Sequence, residues 1–130
     1  MRSHRRHFSF VVVTLFILSS KIQAAELPAG VKLALNKAGS NRRQIQKAID
    51  ETPAAQQEGI RFLVTHMPDH DLKKLSAKFL VENVNLAYQS WNKSPWKKTV
   101  PKEVFFNDIL PYACINERRD NCRKDFYQRF

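Results

Sequence analysis

The sequence predicts an all-α fold, a small irregular bundle of about five helices, from three observations. Apolar residues recur at helical spacing, most clearly in the i, i+3, i+4, i+7 pattern over residues 60–67. No stretch alternates apolar and polar residues with the period of a strand. With 43% hydrophobic residues and 3 glycines in 130 residues, the chain can build one modest core.

Residues 1–24 have the pattern of a signal peptide. An arginine-rich start precedes the apolar run Phe8–Leu18, which is short for a membrane span of about 20 residues. A small-residue region ending at Ala24 follows, with no Cys after it to take a lipid. We expect export to the periplasm or the extracellular space, with no transmembrane span in the mature form. An uncleaved N-terminal anchor is the alternative.

The charge of the chain is formally +10, and part of it lies in the expected signal peptide. After residue 24, 18 basic and 12 acidic residues remain, a charge of +6. This moderate excess is spread along the chain and identifies no partner by itself. An exported protein also meets little nucleic acid, so no nucleic-acid partner is expected.

Two segments follow the signal peptide. Residues 25–40 are expected to be a flexible lead-in, and residues 41–130 the helical domain. Asn41 begins the first helix of this domain. Together with Gln44, it fits a capping box, in which each side chain bonds a backbone N–H at the helix start.

Capping residues and prolines bound the next helices. Thr52 is expected to cap the second helix, with Pro53 in its first turn. Pro68 ends that helix. Ser76 is expected to cap the longest helix, which runs to about Trp91.

The strongest helical signal lies at Pro101–Pro111. Proline suits a first turn, where its missing N–H costs nothing, and the second proline stops the helix. The apolar arc between them is too wide for a surface helix and predicts burial on several sides. The residues expected to be buried together are Trp91, Phe105, Phe106 and Leu110.

A last helix is expected from about Asp120 to the end of the sequence. Its apolar side consists of Phe126, Tyr127 and Phe130. Such a stripe has to be covered, so we expect either self-association through it or a further domain packed on it.

Three pieces of the second half carry a family resemblance. They are MPDHDLKKLSAKFLVENVNLAYQS, then PW, then VPKEVFFNDILPYACINERRDNCRKDFYQRF. In order and spacing, the stretch from Met67 to Phe130 resembles the segment that precedes the catalytic core in bacterial transglutaminase-like proteins. The resemblance implies a papain-like core beyond Phe130, with a Cys-His-Asp set for thioester acyl transfer or amide hydrolysis. This chain would then be the non-catalytic N-terminal helical portion, packed against that core.

The thiols do not form a catalytic pattern. Cys114 and Cys122 are the only cysteines, and a nucleophilic Cys needs a base beside it. After residue 24 the histidines are His66 and His70, both upstream, so no catalytic residue is assigned in this chain. Export permits a disulfide between the two cysteines, and two unpaired thiols are the equal alternative.

A basic loop follows the longest helix. Lys93, Lys97, Lys98 and Lys102 lie around Trp96 and are the candidate anion-binding residues. A solvated loop with an anchoring Trp is the favoured interpretation. The loop also supports an alternative function, a stand-alone secreted basic helical protein that binds anionic envelope polymers.

One group has metal-ligand chemistry: His66, Asp69, His70 and Asp71. Neither HEXXH nor CXXC accompanies it, and turn formation explains both aspartates. No metal and no cofactor are expected. A second basic group at residues 118–124 is expected to be solvated, or to pair with neighbouring aspartates.

Overall fold

The computed structural model describes residues 26–113 and 117–129. Within these residues the chain forms seven α-helices and no strand, which confirms the predicted all-α class. Short 3₁₀ turns at Gly39–Asn41, Ala54–Gln56 and Pro95–Lys98 connect some of them. The helices are α1 (Ala29–Lys37), α2 (Arg42–Glu51), α3 (Gln57–His66), α4 (Asp69–Leu72), α5 (Ala77–Lys93), α6 (Lys102–Val104) and α7 (Cys122–Arg129).

Helix α5 is the centre of the bundle. It packs along α2 and also contacts α3, the turn that follows α6, and α7. On the other side, α1 packs on α2, α3 and α4. One continuous apolar core results, and it draws residues from α1 to α5 and from the turn that follows α6, but none from α6 or α7.

The N-terminal segment corrects one expectation. Residues 25–40 were expected to be a flexible lead-in, but α1 occupies most of that range and lies in the core. Its buried residues, Val31, Ala34, Leu35 and the following Ala38, stand at i, i+3, i+4 and i+7. The segment is therefore an amphipathic helix, because this spacing places all four side chains on the face that packs against the bundle.

The start of α2 corrects a second expectation. Asn41 stands at the N-cap position, yet neither it nor Gln44 makes a capping box. The Asn41 amide instead donates to the carbonyls of Leu72 and Leu75, each at 2.9 Å. Gln44 Oε1 accepts from the N–H of Ala77 at 2.9 Å. Both side chains thus satisfy helix-end groups of α4 and α5, which lie more than 30 residues away.

The connection between α2 and α3 also differs from the prediction. Thr52 does not cap a following helix; its hydroxyl donates to the Ala48 carbonyl at 2.7 Å and closes α2. Gln57 then donates from Nε2 to the carbonyls of Ile49 and Thr52, at 2.6 and 2.7 Å. These bonds occupy carbonyls that have no partner within α2. Helix α3 starts at Gln57, later than the prediction from Thr52 and Pro53 placed it.

The predicted cap of the longest helix is confirmed. The Ser76 hydroxyl accepts from the N–H of Phe79 at 3.2 Å, as expected of an N-cap serine. The helix continues to Lys93, two residues beyond the predicted end at Trp91.

The predicted aromatic core is confirmed as well. Trp91, Phe105, Phe106 and Leu110 are all buried, and the rings of Trp91 and Phe105 lie 5.2 Å apart. After α6 the chain forms a π-helical turn, Phe105–Ile109, closed by a 2.8 Å bond from Leu110 N–H to the Phe105 carbonyl. Within this wider turn both phenylalanines reach the core, where Phe106 meets Phe62 at 4.9 Å.

Replacing Phe105 by Ala should lower the free energy of unfolding by about 3–5 kcal/mol, because the ring is 2% exposed and the cavity would remain. Urea denaturation followed by circular dichroism measures it. Phe126→Ala is the matched control, since Phe126 is 66% exposed and its loss should change stability by less than about 0.5 kcal/mol. Equal effects of the two substitutions would contradict the packing described here.

Candidate functional site

A buried carboxylate lies where the C-terminal segment meets α4. Asp71 is 3% exposed. Its Oδ2 accepts from the Tyr112 hydroxyl at 2.7 Å and from Arg119 Nε at 3.0 Å. His70 Nε2 lies 3.1 Å from Oδ1, and Arg119 Nη2 lies 3.3 Å from the same His70 nitrogen. We call Asp71, Tyr112, Arg119 and His70 the Asp71 network.

The Asp71 network joins α4 to the C-terminal segment through buried and half-buried groups. Both carboxylate oxygens accept hydrogen bonds, and the Arg119 side chain is only 18% exposed. Burial raises the pKa of Tyr112, and its hydrogen bond to the Asp71 carboxylate raises it further. Tyr112 therefore stays a neutral donor to the carboxylate well above neutral pH.

A half-buried cation, Arg123, fixes the start of α7. The guanidinium of Arg123 donates to the carbonyls of Ile109 and Pro111 at 2.6 and 2.7 Å, and to that of Leu110 at 3.3 Å. It also donates to the Asn83 carbonyl at 2.9 Å. Three of these acceptors lie at the C-terminal end of the π-helical turn, where carbonyls lack partners and a positive charge is favoured.

Three members of the basic group at residues 118–124 are neither simply solvated nor paired with neighbouring aspartates, while Arg118 is exposed. Arg119 binds Asp71, and Arg123 binds backbone carbonyls. Lys124 pairs with Glu82 of α5 at 2.8 Å. These three side chains attach the C-terminal segment to the bundle. Burial lowers the pKa of Arg123.

The outer side of α7 is open. Phe126 is 66% exposed, while Tyr127 is half-buried and accepts a hydrogen bond from Lys93. A depression of about 270 Å³ is lined by Cys122, Asp125, Phe126 and Arg129. Phe130, the third residue of the predicted stripe, lies outside the described residues.

The possible disulfide between Cys114 and Cys122 falls partly outside the described residues. Cys122 is exposed at the first turn of α7. Its expected partner, Cys114, belongs to the undescribed stretch 114–116. The pairing stays a prediction.

The candidate anion-binding lysines are largely engaged by neighbours. Lys93 lies over the Tyr127 ring, 4.9 Å from its centroid. Lys97 donates to Asn92 at 2.5 Å, and Lys102 donates to Glu58 at 2.6 Å. Among the described residues, Lys98 is left without a hydrogen-bond or ion-pair partner.

The group with metal-ligand chemistry, His66, Asp69, His70 and Asp71, does not form one cluster in the structure. His66 donates from Nδ1 to the Phe62 carbonyl at 2.8 Å, and Asp69 pairs with Lys37 at 3.1 Å. Only His70 and Asp71 face each other. Over residues 26–113 and 117–129, no group of three or more His, Cys, Asp or Glu side chains is arranged to hold a metal ion.

Sequence reasoning missed the roles of Asp71, Tyr112, Arg119 and Arg123. Asp71 was interpreted as a turn former, although it stands four residues before the buried Leu75 and four after the buried Met67. The spacing is a weak signal, because α3 ends at His66 and α4 covers only Asp69–Leu72, so the pattern crosses two helix ends. No comparable pattern identifies Arg119 or Arg123, whose partners within the bundle lie 12 to 48 residues away.

Comparisons with known proteins identify no relative: no family model, no curated protein and no solved structure matches the chain. Within the described part of the chain, no helix is both long and apolar enough to cross a membrane.

Tyr112→Phe should make the free energy of unfolding less sensitive to alkaline pH. The pKa of Tyr112 in the folded protein is raised above its ordinary value of 10.0. At a pH between the ordinary pKa and the raised pKa, the Tyr112 hydroxyl loses its proton in the unfolded chain and keeps it in the folded chain. The stabilisation is therefore complete below about pH 10 and is lost as the pH rises further, by at most about 1.4 kcal/mol per pH unit.

Urea denaturation from neutral pH to about pH 11 measures this. At neutral pH the substitution should also cost about 1.5–3 kcal/mol, because a hydrogen bond to a charged acceptor is lost. Tyr88→Phe is the comparison for the neutral-pH loss: burial mainly raises the pKa of Tyr88 and the nearby Glu58 carboxylate adds to it, but this substitution removes no hydrogen bond to a carboxylate. An alkaline slope in Tyr112→Phe equal to that of the wild type would refute the assignment.

Arg123→Lys should lower the free energy of unfolding by about 1–3 kcal/mol although it keeps the charge. A single ammonium group cannot serve carbonyls on both α5 and the π-helical turn, so buried acceptors lose their donors. Thermal and urea unfolding measure the loss. Arg118→Lys is the matched control because Arg118 is exposed, and it should leave stability unchanged. If Arg123→Lys left the free energy of unfolding unchanged, water would be shown to bond these carbonyls as well as the arginine does.

Proposed function

We propose that this chain is the non-catalytic N-terminal helical portion of an exported transglutaminase-like protein. In this proposal a core with a Cys-His-Asp set lies downstream, and the helical portion packs against it and helps to shape its entrance. The family resemblance over residues 67–130 motivates the proposal. Export rests on the signal-peptide pattern of residues 1–24.

The observation that carries the proposal is the Asp71 network. Asp71 belongs to the first of the resembling pieces, and Tyr112 and Arg119 belong to the last. Although Asp71 and Arg119 are 48 residues apart in sequence, they meet at one buried carboxylate. This supports the view that the resembling pieces form one folded unit with a structural task.

The open side of α7 is the surface we assign to the downstream core. Phe126 is exposed beside the depression that Cys122 and Arg129 help to line. The inner side of the same helix is held to α5 by Lys124 and Arg123. A helix fixed on one side with an exposed aromatic on the other suits a docking face.

The chain alone should show no acyl transfer and no peptide cleavage. Such chemistry needs a thiolate, a base beside it and donors for the oxyanion. His66 is bonded to a backbone carbonyl, and His70 faces Asp71. Assays of amine incorporation into a glutamine donor and of peptide hydrolysis, with and without reductant, test this. Turnover that Cys122→Ser or Cys114→Ser abolishes would overturn the proposal.

The docking face has its own test. Purified residues 25–130 should bind a hydrophobic dye or elute as an oligomer, and Phe126→Ser should weaken either behaviour. Leu33→Ser is the matched control, because Leu33 is 57% exposed on α1. A monomer that binds no dye would remove this surface from the proposal.

Reading the source genome after the codon for Phe130 separates the two candidate functions. An open frame that supplies Cys, then His, then Asp would support the transglutaminase-like reading. A stop codon with nothing related downstream would favour the stand-alone binding protein.

A further inference from the structure

We propose that the segment Ser94–Val100, which we call the tryptophan loop, docks this protein onto the surface of an anionic lipid bilayer. In this arrangement Trp96 enters the interfacial layer, and Lys97 and Lys98 contact the headgroups. The proposal does not depend on the function proposed above, since it concerns a different surface from the open side of α7.

Trp96 is exposed but held in place. It is 47% exposed, and its ring packs edge-on against buried Trp91 at 5.7 Å. Pro95 opens the 3₁₀ turn that carries it, and the Trp96 carbonyl accepts from the Thr99 hydroxyl and N–H, both at 2.9 Å. The ring therefore loses little conformational freedom on docking. Indole rings favour the bilayer interface, where one part is apolar and another wet.

The charge around the ring complements an anionic surface. Residues 92–102 contain four lysines and no acidic residue. Lys102 is occupied by Glu58, and Lys93 by Tyr127, but Lys97 bonds only a neutral amide and Lys98 pairs with none of the described residues. Two ammonium groups thus flank the exposed indole with their charge uncompensated. Each lysine near an anionic membrane contributes about 1 kcal/mol of attraction.

A bilayer fits this combination better than a soluble polyanion does. A polymer of sulfate or phosphate groups would pair with the lysines but offers no apolar layer to an indole. The bilayer interface offers negative charge and an apolar layer within a few ångströms. The exposed ring next to the lysines is therefore the feature that selects lipid.

The experiment uses the full chain and vesicles of phosphatidylcholine and phosphatidylglycerol whose acyl chains carry bromine, which quenches tryptophan fluorescence on contact. Trp91 and Trp96 are the only tryptophans, and Trp91 is buried. The wild type should be quenched, and Trp96→Phe, which leaves Trp91 alone, should not. Vesicles of brominated phosphatidylcholine alone should quench little, because they lack the negative charge.

The lysine contribution is tested by the double variant Lys97→Gln/Lys98→Gln. It should need about tenfold or more additional anionic lipid for half-maximal quenching, from two lysines at about 1 kcal/mol each. Lys73→Gln/Lys74→Gln is the matched control, because it removes an adjacent exposed pair elsewhere on the bundle and should behave like the wild type.

Several results would overturn the proposal. One is vesicle binding without quenching, as attachment through another region such as Phe8–Leu18 would give. Another is equal quenching in Trp96→Phe. A third is an equal loss in the two lysine double variants. Binding to dextran sulfate that Lys97→Gln/Lys98→Gln weakens, with no quenching by brominated vesicles, would identify a soluble polyanion as the ligand instead.

Discussion

The buried carboxylate of Asp71 sets the constraint on which the C-terminal third of the described chain depends. A charge at 3% exposure is costly unless several donors surround it. Here the donors are Tyr112 and Arg119, and both come from the segment after the π-helical turn. Because removing either distant donor leaves a buried charge less well bonded, the segment has one favourable position against α4.

A second constraint acts throughout the bundle: helix ends carry backbone groups that lack partners. In a bundle of short helices many such ends lie near the core, and water reaches them poorly. Side chains from other elements meet this need. Asn41 and Gln44 serve α4 and α5, Gln57 serves α2, and Arg123 serves the π-helical turn. The same bonds that complete one helix therefore position another against it.

The sequence predicts those features that depend on residues close together in the chain. Ser76 caps α5 by accepting from the N–H of a residue three positions away. The apolar arc of Pro101–Pro111 is too wide for a surface helix, so the burial of its two phenylalanines is predicted as well. The helical spacing of α1 was also present in the sequence and was overlooked. The distant partners of Asn41, Asp71 and Arg119 lie 31 to 48 residues away, and no local pattern selects them among the chain's other polar groups. The candidate site therefore became visible only in the fold.

The attachment of α7 has a consequence for the motions of the molecule. The helix contributes no buried side chain to the core, and polar bonds such as Lys124–Glu82 and those of Arg123 hold it to α5. Polar attachments of this kind give way at a smaller free-energy cost than a shared apolar core does. We therefore expect the helix to be its own cooperative unit, whose amide hydrogens exchange through partial opening while α2 and α5 stay closed. A surface that opens in this way presents its inner side, as well as its outer one, to any partner that approaches it.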